Sequence, residues 1–335
     1  MQPANPPTFT LRPPTLADLP AVVAMLNACW LDTVGTTSFS EAGLRAQWAQ
    51  PGAEYTQDVC LAVDASGVIG YCAATCRPPY VKNFLLVCTH PAQRGRGIGT
   101  ALTEWGEQRC AKCLPLAPPD AQVTIGCNNF GTHQAGAQLL LDLGYQHVRS
   151  GYEMKIEMAS PPPPPQWPAG IHVRSMRANQ EEAAVFRCIE EAFRDHWGHV
   201  EKPFEESFAH WLHGIRNVPD YTPDFFFLAL DGEQIAGLAL GFPKYNEYPD
   251  MCWVQSLGVR RPWRRLGLAL ALLHHIFGEC YRRGIYKVGL GVDADSLTNA
   301  TRLYERAGMQ IFRQWDNYEK VIRAGQDLVT RTVVD

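Results

Sequence analysis

The pattern of apolar and polar residues repeats one order of elements twice along the chain of 335 residues. Each half is predicted to start with a strand and an amphipathic helix, followed by a second helix and a hairpin with glycine in its turn. A buried strand, a glycine-bearing loop, a long helix and another buried strand follow, and a last helix ends at glycine. The segments identified in this way are 8–13, 16–30, 40–48, 60–74, 82–91 and 123–128 in the first half, and 170–176, 179–193, 204–212, 225–241, 252–262 and 287–293 in the second.

A proline-rich tract separates the two repeats. Residues 161–165 are five consecutive prolines, which can form neither a helix nor a central strand and favour a stiff extended spacer. A chain of this length is expected to hold roughly two domains, each large enough to bury its own core. The sequence therefore predicts an N-terminal domain at 1–158, a linker at 159–170 and a C-terminal domain at 171–335, with duplication as the simplest account of their agreement.

The two glycine-bearing loops share the pattern R-x-x-G-x-[GA]. Small residues let the backbone approach a ligand closely, and the first amides of the following helix have no internal partners, so such a loop suits a phosphate or a diphosphate. Neither loop has the Gly-Lys-[Ser/Thr] ending of nucleoside-triphosphate loops, and neither half combines G-x-G-x-x-G with an acidic residue after the next strand. The first loop consists of Arg94, Gly95, Arg96, Gly97, Ile98 and Gly99, and the second of Arg264, Arg265, Leu266, Gly267, Leu268 and Ala269.

The charge balance and the cysteines exclude several classes of protein. The formal net charge of −4 leaves no broad basic surface for nucleic acid. No apolar run is expected to approach the roughly 20 residues that span a bilayer, and the first residues lack the order of a signal peptide. Eleven cysteines lie in strand-like and helix-like runs, and the C-x-x-C at 110–113 lacks a second pair, so we expect reduced core thiols and no metal. These features predict a cytoplasmic protein with no nucleic-acid or membrane partner.

The order of elements, the loops and the last helix together resemble the GNAT superfamily of acyl-CoA-dependent N-acyltransferases. Residues 299–309 read N-A-T-R-L-Y-E-R-A-G-M, which is similar to the family segment N-x-x-A-x-x-[LF]-Y-E-x-x-G-[FM] with its alanine shifted. The resemblance implies an α/β (α+β) protein of two tandem domains, each a mixed, largely antiparallel twisted sheet flanked by helices. It also implies that acetyl-CoA binds beside the fourth strand as the acyl donor.

The resemblance further assigns roles to single residues. It implies that Tyr304 is the general acid for the departing thiolate, and that Asn299 contacts the CoA arm or fixes its helix. Aligning Gly144 with Gly308 places Leu140 opposite Tyr304, so the first domain has a diphosphate loop but no phenol, and catalysis is expected in the C-terminal domain. Backbone amides of the splayed strand would hold the thioester carbonyl and the pantetheine. They lie within Leu257, Gly258 and Val259, with Leu86 and Val87 as their first-half counterparts.

The implied reaction is transfer of an acetyl group to the primary amine of a small molecule by direct attack. Because an alkyl amine titrates near ~10, a base or a water chain has to remove its proton. Two alternatives stay open, a non-catalytic acyl-CoA-binding sensor or structural module and a protein or peptide N-acetyltransferase, and the chain could be a monomer or a homodimer. The candidate bases are Glu190, Glu191, Asp195, His196, Glu247, Asp250 and Asp293, each of which also suits an exposed surface charge.

Overall fold

The computed structural model describes residues 9–218, 221–244, 248–294 and 300–330. Two compact units divide the chain. Unit 1 consists of Met1–Val148 and Trp315–Leu328, and unit 2 consists of Arg149–Gln314 and Val329–Asp335.

Helices and strands follow the predicted order in both halves, and a short helix at Tyr55–Asp58 and a strand after the last helix of each half are additional to the prediction. Among the described residues, the strands are β1 (Thr10–Arg12), β2 (Val59–Asp64), β3 (Gly67–Thr75), β4 (Lys82–Thr89), β5 (Val123–Phe130), β6 (Gln146–Glu157), β7 (Ile171–Ser175), β8 (Phe226–Asp231), β9 (Gln234–Phe242), β10 (Met251–Val259), β11 (Lys287–Asp293) and β12 (Gln310–Arg323). The α-helices are α1 (Leu19–Val34), α2 (Glu41–Trp48), α3 (Tyr55–Asp58), α4 (Ile98–Ala111), α5 (Gln134–Asp142), α6 (Glu182–Phe193), α7 (Phe204–Arg216), α8 (Leu268–Arg282) and α9 (Ala300–Arg306).

Each unit contains a mixed sheet in which antiparallel pairs dominate. In unit 1 the strand order is β1-β2-β3-β4-β5-β12, and in unit 2 it is β7-β8-β9-β10-β11-β6. Among the named strands of the described residues, one pair in each sheet is parallel, β4 with β5 and β10 with β11. Both sheets therefore have the mixed, largely antiparallel form that the family resemblance implies.

The two units differ from the predicted domains in where the last strands belong. Residues 151–157 of β6 precede the proline-rich tract, yet they pair with β11 in unit 2. Residues 315–323 of β12 follow it by about 150 residues of chain and pair with β5 in unit 1. The tract at 160–168 forms neither helix nor strand, but it lies inside unit 2. A strand pattern shows which residues are extended and not which edge they join, so the boundary at 158 is replaced by one near 148.

Alternation along the strands builds separate apolar clusters in unit 1. Cys60 and Ala62 of β2 face the cluster that includes Ile98 of α4. Val59 and Leu61 face the cluster of α1. In unit 2, α8 and α9 pack on β10 and β11, and this cluster includes Leu273, Phe277, Val288, Leu290 and Tyr304. All eleven cysteines are free and ten are buried, which confirms the prediction of reduced core thiols.

The segment Leu16–Val34 corrects one expectation. By length and composition it is apolar enough to cross a membrane, so the prediction that no run approaches that length is wrong. Its apolar residues Leu19, Val22 and Leu26 are fully buried in the unit 1 core. The helix is rich in apolar residues because the side that carries these three residues packs in the core.

Candidate active site

Strands β10 and β11 of unit 2 separate part of the way along their length. They pair in parallel only from Met251–Lys287 to Val254–Leu290, although both strands continue. The ladder between β9 and β10 shifts register between Val254 and Ser256, so Gln255 forms a β-bulge where the pairing ends. An open strand edge follows the bulge.

The direction of the backbone groups on this open edge follows from alternation. The N–H of Arg260 donates to the C=O of Ala236 in β9, at 3.0 Å. Because successive residues of a strand face opposite edges, Gly258 also faces β9, whereas Leu257 and Val259 face the open edge. The C=O of Val259 accepts a hydrogen bond from Nε of Arg264 at 3.1 Å, as this alternation requires. The amides directed into the gap are therefore those of Leu257 and Val259.

The loop after β10 exposes the N-terminus of α8. Arg265 and Gly267 both have left-handed backbone conformations, with φ of +65° and +84°. Gly267 is the N-cap of α8 and no side chain caps this end, so the first amides of the helix are available to an anion. A Cβ placed on Gly267 would meet no atom of the described residues within 4 Å. Beside it Leu266 is exposed and Leu268 is buried in the core, with Ala269 half-buried.

Arg264 does not extend toward this open space. Its guanidinium donates to the C=O of Ala192 at 3.0 Å and to Asp195 at 2.7 Å, in addition to Val259. Arg261 also donates to Asp195. Together, Arg261 and Arg264 lower the pKa of Asp195 to about 2. Arg264 therefore fixes the loop to the end of α6, and its charge is paired there rather than free for a phosphate.

The loop of unit 1 has the same backbone. Gly95 and Gly97 take φ of +78° and +77°, and Gly97 is the N-cap of α4 without a side-chain cap. The parallel pairing of β4 and β5 ends at Leu85–Cys127. The N–H of His90 donates to the C=O of Ile69 in β3, so the backbone groups of Leu86 also face β3 and those of Val87 face the open edge.

Side chains of the unit 1 loop are also engaged. Arg94 pairs with Asp32 at 2.7 Å and Arg96 with Asp64 at 2.9 Å. Ile98 is buried in the core. A Cβ on Gly99 would lie 2.8 Å from Cδ2 of Leu139, so packing against α5 explains the small residue there.

Tyr304 of α9 lies in the core of unit 2. It is 8% exposed and shares an apolar cluster with Val254, at the end of the paired part of β10, and with Val292 of β11. Burial raises the pKa of its phenol to about 12, so the hydroxyl keeps its proton at neutral pH. Its counterpart Leu140 is buried in the core of unit 1. Asn299 lies outside the described residues.

Most candidate bases are engaged with cations. Asp195 binds two arginines, as described above, and the other pairs are Glu191 with Arg260, Asp250 with Lys287, and Asp293 with Arg149. Burial raises the pKa of Glu190 and lowers that of His196. Glu247 lies outside the described residues.

Two features of this site were absent from the sequence analysis. Arg149 of β6 holds Asp293 through Nε at 2.5 and 2.6 Å, and its guanidinium lies 5.1 Å from the ring centre of Trp197. Only the pairing of β6 with β11 brings Arg149 here. Gln255, which forms the bulge, and Ser256 are polar residues within an otherwise apolar strand, and this interruption is a signal of the bulge in the sequence. No cluster able to hold a metal ion occurs among the described residues.

Comparisons with known proteins agree with this geometry. The Acetyltransferase (GNAT) family model matches residues 184–309, and an Acetyltransferase (GNAT) domain model matches 56–147. The mycothiol acetyltransferase of Salinispora arenicola is 29% identical over 327 residues, which cover 93% of this chain and 95% of the relative. A tandem GNAT protein from the clavulanic acid biosynthesis pathway shares the fold, with a TM-score of 0.69, 13% identity and coverage of 95% of this chain and 100% of that one.

A solved structure is more similar in sequence. The GCN5-related N-acetyltransferase from Sphaerobacter thermophilus is 35% identical, with a TM-score of 0.77 and coverage of 96% of this chain and 98% of that one. Both halves of the chain match acetyltransferase models, each over the strand, loop and helix described above. The chain therefore belongs to the GNAT family of N-acetyltransferases.

Proposed function

We propose that unit 2 transfers the acetyl group of acetyl-CoA to the primary amine of a small molecule by direct attack. One observation carries this proposal: unit 2 combines a splayed strand, a diphosphate-type loop and a buried phenol. Unit 1 has the first two of these features and leucine in place of the phenol. Chemistry is therefore assigned to unit 2.

The donor substrate fits the open edge and the loop. The diphosphate of acetyl-CoA would accept hydrogen bonds from the first amides of α8, in the space next to Gly267. The pantetheine amides and the thioester carbonyl would pair with Leu257 and Val259, whose backbone groups face the gap between β10 and β11. A preorganised amide there stabilises the negative charge that develops on the carbonyl oxygen during attack.

Tyr304 would supply the proton for the leaving sulfur. Its pKa of about 12 guarantees the protonated form. Complete transfer to a thiolate whose conjugate acid has a pKa of about 8.5 is uphill by about 5 kcal/mol. We therefore assign Tyr304 a hydrogen bond to sulfur that strengthens as the C–S bond breaks, with the proton replaced from the amine.

Unit 1 would bind the same carrier without turnover. Its loop repeats the left-handed conformations of unit 2 at Gly95 and Gly97. It has Leu140 where unit 2 has Tyr304, and its β3–β4 ladder runs through Leu86 and Val87 without a register shift. The bulge and the phenol, which together distinguish unit 2, are the groups that act on the thioester and not on the diphosphate.

The acceptor is proposed from the relatives. Two relatives from Salinispora species, 29% and 28% identical to this chain, are named mycothiol acetyltransferases, and the matches cover 95% of each of them. An aminosugar–cysteine conjugate or another small amine is the acceptor class that we infer.

Thiol release from acetyl-CoA tests the proposal against a panel of small amines and a peptide. We expect turnover with at least one small amine, and a fall in kcat of about 10²-fold or more for Tyr304→Phe, since a general acid contributes that much. The control is Tyr286→Phe, which changes an exposed tyrosine of the same unit. Stabilisation by CoA should persist in both variants.

Three results would contradict the proposal. Thermal stabilisation by CoA without any thiol release would indicate a binding module. Turnover with the peptide alone would indicate a protein acetyltransferase. Full activity of Tyr304→Phe would remove the role of the phenol.

A further inference from the structure

The C-terminal end of α6 packs against β10, the strand that separates from β11 in unit 2. A Cβ placed on Gly258 would lie 2.9 Å from Cβ of Ala192 and 3.1 Å from Cε2 of Phe193. The glycine therefore lets α6 approach the backbone of β10 directly. The ring of Phe193 covers this glycine, and its centre lies 4.5 Å from that of His196 at an interplanar angle of 55°. His196 is thus one aromatic ring away from the strand that would hold the thioester.

Charges at both sides of the gap act on the imidazole of His196. Arg264, which binds the C=O of Val259 at the end of β10, lowers its pKa, and Asp293, at the end of β11, raises it. Charged residues at the ends of both strands therefore influence this imidazole. Asp195 and His199 also face the ring, with opposite effects on the pKa.

Burial is the largest influence on this imidazole and keeps it neutral. The side chain is half-buried, and desolvation lowers its pKa below the usual value of about 6.5. The backbone N–H of His196 donates to the C=O of Phe193 at 3.0 Å, which fixes the residue. Neither ring nitrogen hydrogen-bonds to a described residue, so a lone pair is available to a substrate proton.

The other base candidates are less suitable. Asp195, Glu191, Asp250 and Asp293 are each bound to at least one cation. The charges that act on Glu190 are Lys202, Arg194 and Glu201, which lie at the end of α6 and in the connection to α7. None of these charged residues lies at the end of β10 or β11, where the two strands separate.

We propose that His196 is the catalytic base that receives the proton of the acceptor amine. This inference rests on the proposed function of unit 2. One ammonium proton passes to the free imidazole nitrogen and then to water, and the nitrogen lone pair forms the new C–N bond. The carbonyl π pair moves to oxygen and returns as the C–S bond breaks with its pair on sulfur. The remaining excess proton of the nitrogen replaces the proton that Tyr304 gives to sulfur.

Hydrolysis of acetyl-CoA tests this role without a known acceptor, because water then takes the place of the amine. The full-length protein and its His196→Gln variant are compared between pH 5 and 9, with His172→Gln as the control, since His172 is an exposed histidine of β7. We expect the wild-type rate to fall in the acid range, at a pH below the usual imidazole pKa of about 6.5, because burial lowers the pKa at which His196 becomes protonated. His196→Gln should lose at least tenfold in rate at pH 7.5 and should lose this acid limb.

A second arm separates base catalysis from positioning. Transfer to butylamine, a strongly basic amine, is compared with transfer to glycinamide, whose α-amino group titrates near ~8. The defect of His196→Gln should be larger for butylamine, which is almost fully protonated at pH 7.5. Added imidazole should restore part of the activity of His196→Ala, and acetyl-CoA should bind both variants with a Kd within threefold of wild type.

The outcomes distinguish the inference from the function on which it rests. If wild type turns over and depends on Tyr304, but His196→Gln keeps the wild-type pH profile, only the inference is overturned. Equal losses for both amines without rescue by imidazole also overturn it. If wild type neither hydrolyses acetyl-CoA nor acetylates any amine, the proposed function fails first, and the role of His196 fails with it.

Discussion

Replacement of Met154 by alanine provides a sharp test of how the strands are shared between the units. Met154 precedes the proline-rich tract, so its place in the sequence assigns it to the first repeat. In the structure it is fully buried, pairs with Leu290 across β6 and β11, and belongs to the cluster that contains Phe277 and Tyr304. Replacement of Met154 by alanine should therefore lower the stability of unit 2.

The size of the effect follows from the burial. Because the side chain is 0% exposed, truncation removes all of its apolar contacts and leaves a cavity beside α8 and α9. Methionine-to-alanine changes at such sites cost about 2–5 kcal/mol. That is a large part of the roughly 5–15 kcal/mol that stabilises a folded domain.

Amide hydrogen exchange measures this loss separately in each unit. In Met154→Ala, we expect faster exchange in peptides from β10, α8 and β11, and unchanged exchange in β2 and β3. The control is Met25→Ala, which removes a buried methionine of α1 in the unit 1 core and should give the opposite distribution. Faster exchange of unit 1 in Met154→Ala, with unit 2 unchanged, would refute the assignment of β6 to unit 2.

Two further substitutions test the loop and its anchor. Gly267→Ala should cost about 1 kcal/mol of stability because φ is +84°, and its methyl group should weaken acetyl-CoA binding at least tenfold by occupying the space before α8. Calorimetry measures the Kd of acetyl-CoA. Gly232→Ala is the matched control because that turn glycine also has a positive φ. Equal Kd values in the two variants would contradict the predicted loss of binding. The pKa of Asp195 is lowered to about 2, so its carboxylate stabilises the fold above its unfolded pKa of about 3.9, and this contribution is lost as the pH falls toward 2. Urea unfolding should therefore show a gap between wild type and Asp195→Asn that closes from pH 5 to pH 2, whereas a constant gap would exclude the linkage.

Local signals in the sequence were sufficient for the elements and for the backbone of the loops. Apolar periodicity predicted β10 and α8, and the R-x-x-G-x-[GA] pattern predicted the two loops whose glycines Gly97 and Gly267 precede a helix. These features depend on neighbouring residues only. The left-handed conformation of Arg265 has no signal in the sequence, because a positive φ is uncommon for arginine.

The roles of the charged side chains were not accessible from local signals. Arg264 belongs to the predicted phosphate loop, and its side chain binds Asp195 and Ala192, which precede it by about 70 residues of chain. Arg149 and Asp293 meet only because β6 pairs with β11. Such contacts depend on which surfaces the fold brings together, and no short window of sequence contains both partners.

The sequence by itself therefore determined the repeat, the order of elements, the loops and the phenol, since each depends on side-chain pattern within a few turns of chain. The tertiary structure alone decided which sheet each last strand completes and which amides face the open edge. The pairing of strands depends on the free energy gained when whole faces of a sheet are buried. This free energy is a property of the folded core and not of any one segment.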